Sequence, residues 1–240
     1  MTDPTQLLDA IEGTWPPARV MRHGPWAVRD GAGGGKRVSA ASAVDPVGAE
    51  DIATAEAAMQ QLGQPRLFML RAGEEALDAL LEARGYAVVD PVTLYAAPVD
   101  LLTDLPIPRV TAFAVWEPLA IMAEIWAAGG IGPVRLAVMQ RAGIKTGILA
   151  RQDDKPAGVG FVAIHNGVAM VHAVEVLPHQ RRKGVAQWIM RRAAFWAAEQ
   201  GAHTLAVLCT VANGPANALY QRLGFSTVTG YHYRIHPEDL

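Results

Sequence analysis

The spacing of apolar positions changes several times along the 240 residues, and each change marks out an element. Residues 5–12 predict a short helix, and residues 26–29 and 37–43 read as strands joined through the glycine-rich turn at 31–35. Residues 49–62 are a helix candidate and residues 66–71 a strand. Within residues 74–84, Leu77, Leu80 and Leu81 share one helical face, and Gly85 stops the helix. A strand at 92–96 closes this half. Helices at 116–128 and 133–142 follow, the first ended by Gly129-Gly130, the second begun by Pro133, where a missing N–H does no harm. Strands are predicted at 145–151, 157–164 and 168–177, with Asn166-Gly167 as a two-residue hairpin signal. In the long helix predicted at 184–200, Val185, Ile189, Ala193 and Trp196 recur at helical spacing, with Arg191, Arg192 and Glu199 turned outward. A strand at 204–209, a short helix at 215–223 and strands at 225–228 and 231–235 complete the chain.

Prolines at 98, 106 and 108 suit an extended connector, since each disfavours helix in the residue before it. The connector places a domain boundary between residues 104 and 105. The element order after it predicts an α/β (α+β) fold on a mixed, mostly antiparallel sheet flanked by helices, preceded by a smaller α/β unit. The halves share a weak repeat: Leu80-Leu81-Glu82-Ala83-Arg84-Gly85-Tyr86 matches Leu219-Tyr220-Gln221-Arg222-Leu223-Gly224-Phe225 in type and register. A tandem of related units accounts for the match; two coincidental helix–glycine–aromatic stops are the alternative.

Composition narrows the function classes. With 51% hydrophobic residues the chain can build a substantial core. It has no apolar run of membrane-spanning length and no secretory start, so no membrane partner is expected. A net charge of −2 gives no basic face for nucleic acid. The single cysteine, Cys209, forms no internal disulfide and no thiolate cluster, and the seven histidines are scattered, so no metal site and a cytoplasmic location are expected.

The chemistry concentrates at residues 174–186. An apolar strand ends at Pro178, a turn with Arg181, Arg182, Lys183 and Gly184 follows, and a long helix begins. Backbone N–H groups at such a helix start have no intrahelical acceptor and, with the helix dipole, favour an anion. Gly184 allows close approach of the backbone, Ala186 keeps the helix start open, and the three basic side chains add positive charge. A pyrophosphate would fit there.

Arg181-x-x-Gly184-x-Ala186 after a strand and Pro178 resembles the acyl-CoA loop of the GNAT-type N-acetyltransferases. Asn213-x-x-Ala216-x-x-Leu219-Tyr220-x-x-Leu223-Gly224-Phe225 resembles that family's second signature. The resemblance covers about 130 residues. It implies a GNAT-type sheet that splays between two strands, with acetyl-CoA as co-substrate, no metal, and a degenerate GNAT-like unit in residues 1–104 ahead of a catalytic domain in residues 105–240. Val174 and Val176 would offer backbone groups to the pantetheine arm. Arg181, Arg182, Lys183, Gly184, Val185, Ala186 and Gln187 would hold the pyrophosphate. Asn213 would bond the cofactor arm or hold its own loop, and Tyr220 would lie beside the thioester sulfur as the acid. The resemblance also implies direct transfer, so Cys209 is read as a core residue rather than a nucleophile.

The base stays open among His172, Glu175 and an ordered water. A familiar glutamate position six residues before the loop proline holds His172, and another, five before the motif asparagine, holds Leu208. Strict alternation puts Glu175 on the strand face opposite His172, unless a bulge intervenes. In the N-terminal half, Glu50 and Asp51 stand where the other half has its basic turn and would repel a pyrophosphate. The acceptor is expected to be a small-molecule amine or amino acid, with a peptide or protein N-terminus and a non-catalytic acyl-CoA-binding module as alternatives. Gly129-Gly130-Ile131-Gly132 is a candidate lip of the acceptor pocket. The chain is expected to be a monomer or homodimer, and Trp15 and Trp26 to be either interface or core.

Overall fold

The computed structural model describes residues 3–240. In chain order the elements are α1 (Pro4–Thr14), β1 (Arg19–His23), β2 (Trp26–Asp30), α2 (Lys36–Ser39), β3 (Ser42–Ala43), α3 (Ile52–Gln61), β4 (Leu67–Arg71), α4 (Glu75–Ala83) and β5 (Ala87–Pro98). They continue with β6 (Ala112–Val115), α5 (Ala120–Ala128), α6 (Pro133–Arg141), β7 (Ile144–Gln152), β8 (Lys155–His165), β9 (Val168–Val176), α7 (Val185–Glu199), β10 (Thr204–Thr210), α8 (Gly214–Arg222) and β11 (Ser226–Ile235). Among the described residues no helix is long and apolar enough to cross a membrane.

The chain forms two compact units that interleave in sequence. One contains residues 3–15, 94–209 and 213–228; the other contains residues 16–93, 210–212 and 229–240. In the first, the strands run in the order β5–β10–β9–β8–β7–β6. Neighbours from β6 to β9 are antiparallel, and β10 is parallel to β9. Its core packs α7 onto one face of this sheet through Val185, Ile189, Ala193 and Ala197, with Ile148, Val162, Val171 and Val207 beneath. Gly158 and Gly160 allow that approach, because a Cβ at either would press into Ile189. The other face is covered by α1 and α5. Asp3 caps α1 by accepting from the Thr5 N–H at 2.9 Å, and Pro4 sits at its first turn.

The second unit holds the antiparallel ribbon β1–β2–β3 and the pair β4–β11. Its core gathers Trp26, Ile52, Met59, Phe68, Leu81 and Tyr86. In α4, Leu77 and Leu81 are buried as the helical spacing requires, and Gly85 closes the helix at φ 80°.

Several expectations are corrected. Residues 37–43 are not one strand: Gly35, at φ 99°, starts the short helix α2, and only Ser42–Ala43 extend. The strands expected at 225–228 and 231–235 are one strand, β11, and the strand at 92–96 is the end of the longer β5. The helix expected from residue 116 begins at Ala120, after Pro118 has excluded helix from the residue before it. Arg191 does not face outward; its guanidinium donates to Leu102 O at 3.2 Å and pairs with Asp104 at 2.5 Å. Of the two readings of Trp15 and Trp26, interface or core, the core reading holds: both are buried.

Candidate functional site

The site begins where two parallel strands part. β9 and β10 pair from Val168↔Thr204 to Val171↔Val207, yet β9 runs on to Val176 and β10 to Thr210. Beyond Val171 the β9 backbone has lost its neighbour on that side. Leu177 N–H donates to Ala157 O, so the alternation of the antiparallel ladder turns the N–H and C=O groups of Val174 and Val176 toward the parting. The Val176 carbonyl there accepts a 3.0 Å bond from Arg181 Nε. The Val174 and Val176 side chains pack on the α7 core.

A bulge in β9 decides which carboxylate reaches the other face. The pairing passes from Phe161↔His172 to Val159↔Glu175, so two residues of β9, Ala173 and Val174, oppose Gly160 alone. Ala173 takes φ 51°, and its carbonyl is turned to accept from Trp126 Nε1 at 2.8 Å. The extra residue puts His172 and Glu175 on one face, that of Val159 and Phe161, against simple alternation.

The two residues have different surroundings. His172 is 5% exposed, packed against Trp15 with ring centroids 5.1 Å apart, and its Nε2 lies 2.9 Å from Thr14 Oγ1. Thr14 spends its own proton on Ala10 O at 2.5 Å, so Nε2 of His172 carries the hydrogen of that contact. Glu175 is half-buried under the end of α5: a Cβ on Gly129 would stand 2.5 Å from its Cδ. Burial pushes the Glu175 carboxyl above the usual carboxylate range, and the Arg181 charge partly offsets the rise.

The turn after β9 has the features of an anion cradle. Arg182 at φ 62° and Gly184 at φ 81° both adopt the left-handed region and lead into α7, whose first residue is Val185. No side chain caps the helix at Gly184, and a Cβ built there meets nothing within 4 Å. Val185, Ala186 and Gln187 thus present N–H groups that have no intrahelical acceptor. Arg181, Arg182 and Lys183 are exposed around it, with Lys183 Nζ donating to Gln180 Oε1 at 3.1 Å. The open backbone, dipole and cations fit a diphosphate, and the parted strand beyond fits an amide-bearing chain, so these residues suit an acyl-CoA.

From the α7 side, α8 brings Tyr220 into the core cluster that also holds Val174, Val176 and Cys209. Tyr220 is 4% exposed between the rings of Tyr95 and Phe225, and burial pushes its phenol well above the ordinary tyrosine range. The Cys209 thiol is pushed up to about 11 by burial and donates to Asn217 Oδ1 at 3.1 Å. Asn213 caps α8, its Oδ1 accepting from the Ala216 N–H at 3.2 Å. Asn217, which joins Cys209 to Tyr95, escaped the sequence reading; its only signal was its place one turn before Tyr220.

The corresponding turn of the second unit is built differently. Gly48 N–H donates to Asp51 Oδ2 at 2.8 Å, and the Glu50 carboxylate packs on Gly48. Its own carboxylates fill the space that an anion would need.

Residues 123–225 match the model of a family described as Acetyltransferase (GNAT) family. The chain is 38% identical over 71 residues to a streptothricin acetyltransferase of Streptomyces lavendulae, a stretch covering 28% of this chain and 38% of that relative's length. Among solved structures, a GCN5-related N-acetyltransferase from Kribbella flavida is 22% identical with a TM-score of 0.73, covering 99% of this chain and 96% of that one. A tandem GNAT protein from the clavulanic acid biosynthesis pathway is 14% identical with a TM-score of 0.61, over 94% of this chain and 86% of that one. At these identities the structural likenesses establish the fold.

Proposed function

We propose, on the match of residues 123–225 to the Acetyltransferase (GNAT) family, that this chain moves an acetyl group from acetyl-CoA to a primary amine of a small molecule or amino acid. The observation that carries the reading is the end of β9–β10 pairing at Val171 and Val207, on the strand that leads into the uncapped basic turn. Bound acetyl-CoA supplies an activated acetyl thioester. The turn residues 181–187 hold the pyrophosphate, and the gap-facing groups of Val174 and Val176 hold the arm.

Glu175 is the group we assign to the amine. Its raised carboxyl pKa makes it a better proton acceptor than an exposed carboxylate, and it lies half-buried beside Gly129. His172 acts in support, since its Nε2 hydrogen is committed to Thr14. Tyr220 keeps its proton through burial and gives it, or a hydrogen bond, to the departing thiolate. Cys209 keeps its proton for the same reason, which favours direct attack by the amine over an acyl-cysteine. We assign the catalytic role to residues 105–240 and read residues 1–104 as a degenerate partner segment. Its first helix, α1, lies in the same compact unit as the site.

Isothermal titration of acetyl-CoA into wild type and an Arg182→Glu/Gly184→Asp variant tests the reading. Saturable binding that the variant loses, followed by turnover in a screen of amines, is the expected result. Binding with no turnover on any amine class would favour an acyl-CoA-binding module. A folded wild type that does not bind would end the transferase reading.

A further inference from the structure

Asn217 is held at both ends of its amide. Its Nδ2 donates to Asn213 O at 2.8 Å, while its Oδ1 accepts from the Tyr95 hydroxyl at 2.7 Å and from Cys209 Sγ at 3.1 Å. An amide oxygen has two lone pairs, and both are engaged here. Tyr95 comes from β5, Cys209 from β10, and Asn217 from α8, so a single side chain ties three elements together. The Tyr95 ring, 3% exposed, packs on Tyr220 with centroids 5.8 Å apart and planes tilted by 49°. Phe225 closes the other side at 6.1 Å. Asn217 precedes Tyr220 by three positions on α8, about one turn. Tyr95 cannot withdraw from Tyr220 without giving up its bond to Asn217, and a buried hydroxyl that loses its partner is costly.

We propose that Tyr95 and Asn217 are positioning residues for Tyr220, a hydrogen-bonded brace that fixes where the phenol sits beside the parted end of β9. The assignment of a chemical purpose to the brace rests on Tyr220 being the proton donor. The brace itself is a geometric arrangement that can be tested without turnover.

Tyr95→Phe keeps the ring and removes the hydroxyl; Asn217→Ala removes the acceptor. Each should lower kcat about tenfold and leave KM for acetyl-CoA within about twofold, and the double variant should lose no more than the worse single, because Asn217→Ala already removes the Tyr95–Asn217 bond that Tyr95→Phe deletes. Losses that multiply, or that fall on KM alone, would overturn the proposal. In parallel, protein labelled with [ζ-13C]tyrosine is titrated, and the Tyr220 signal is identified from Tyr220→Phe. In wild type that signal should stay flat to about pH 11, past the ordinary tyrosine value near 10. In either variant it should move and begin to titrate at lower pH. A Tyr220 signal unchanged in both folded variants sinks the brace. A wild type with no transferase activity but the expected Tyr220 response would remove the catalytic reading alone.

Discussion

His172 and Glu175 lie on the same face of β9 although three residues separate them, because Ala173 bulges out of the ladder at φ 51°. The bulge gives the two side chains separate tasks. Facing Thr14 and Trp15, His172 fastens α1 to the sheet, while Glu175 lies near the open end of the strand beneath Gly129.

Glu175→Gln is the direct test of the base. The amide keeps the shape and cannot take a proton, so kcat should fall by about a hundredfold or more. In wild type, kcat/KM should drop as pH falls through a value above the usual carboxylate range, since the base works only when ionised and its pKa is raised. That acid limb should be absent from the variant. The same raised pKa means that ionised Glu175 opposes folding at neutral pH, so Glu175→Gln should unfold no more readily than wild type. Full activity of the variant would pass the role to an ordered water.

Tyr220→Phe should lower kcat while leaving acetyl-CoA affinity unchanged, because the ring that packs between Tyr95 and Phe225 is retained. General acid catalysis sets the scale of the loss at about a hundredfold. Because burial lifts the phenol above its ordinary range, wild-type rates should show no alkaline limb from Tyr220 below about pH 10. Stopped-flow release of CoA against pH would reveal such a limb if the residue were more exposed.

Gly129→Ala probes the same carboxylate from the opposite side. Gly129 has φ −88°, which alanine adopts readily, so its backbone should be undisturbed. The new methyl would stand 2.5 Å from Glu175 Cδ and displace the flexible carboxylate. Turnover should drop about tenfold with unchanged acetyl-CoA binding by titration. Unchanged turnover would show that the position of Glu175 under α5 has no bearing on the reaction.

What the sequence could and could not convey follows from the range of each signal. The Arg181–Ala186 turn, the α7 periodicity and the Asn213 cap are local patterns, and each occupies the element expected of it. The β9 bulge leaves no mark on apolar alternation, because half-buried Val174 and Glu175 fit either register. β1 escaped notice for a related reason: Arg19, Val20 and Arg22 are all exposed although they do not share one face, so the strand shows no apolar alternation. The burial of Arg191 depends on Leu102 and Asp104, more than 80 residues earlier. The Thr14–His172 contact that helps bring α1 into the site's unit spans 158 positions, and no window along the chain carries it.

In the second unit, Asp78 provides a pH-dependent test that leaves the site alone. Its carboxylate accepts from Arg234 Nε at 2.7 Å, Arg234 Nη2 at 3.1 Å and His232 Nε2 at 2.9 Å. Arg234, buried on β11, also donates to Tyr86 O at 2.9 Å, so the cluster links α4 to the strand beyond it. The Arg234 guanidinium holds the Asp78 carboxyl down at about 2, below its ordinary value of 3.8. A carboxyl depressed on folding stabilises the native state above its unfolded pKa, and that contribution disappears as pH falls through the folded one. Wild type should therefore lose stability between about pH 4 and about pH 2 by a component that Asp78→Asn lacks. At neutral pH the variant should unfold at lower temperature, because Arg234 would keep its burial and lose its nearest counter-charge, leaving the exposed Glu82 at 3.7 Å. The two melting curves should converge as the pH approaches 2. A gap between them that stays constant from pH 7 to pH 2 would mean that packing, rather than charge, holds α4 to β11.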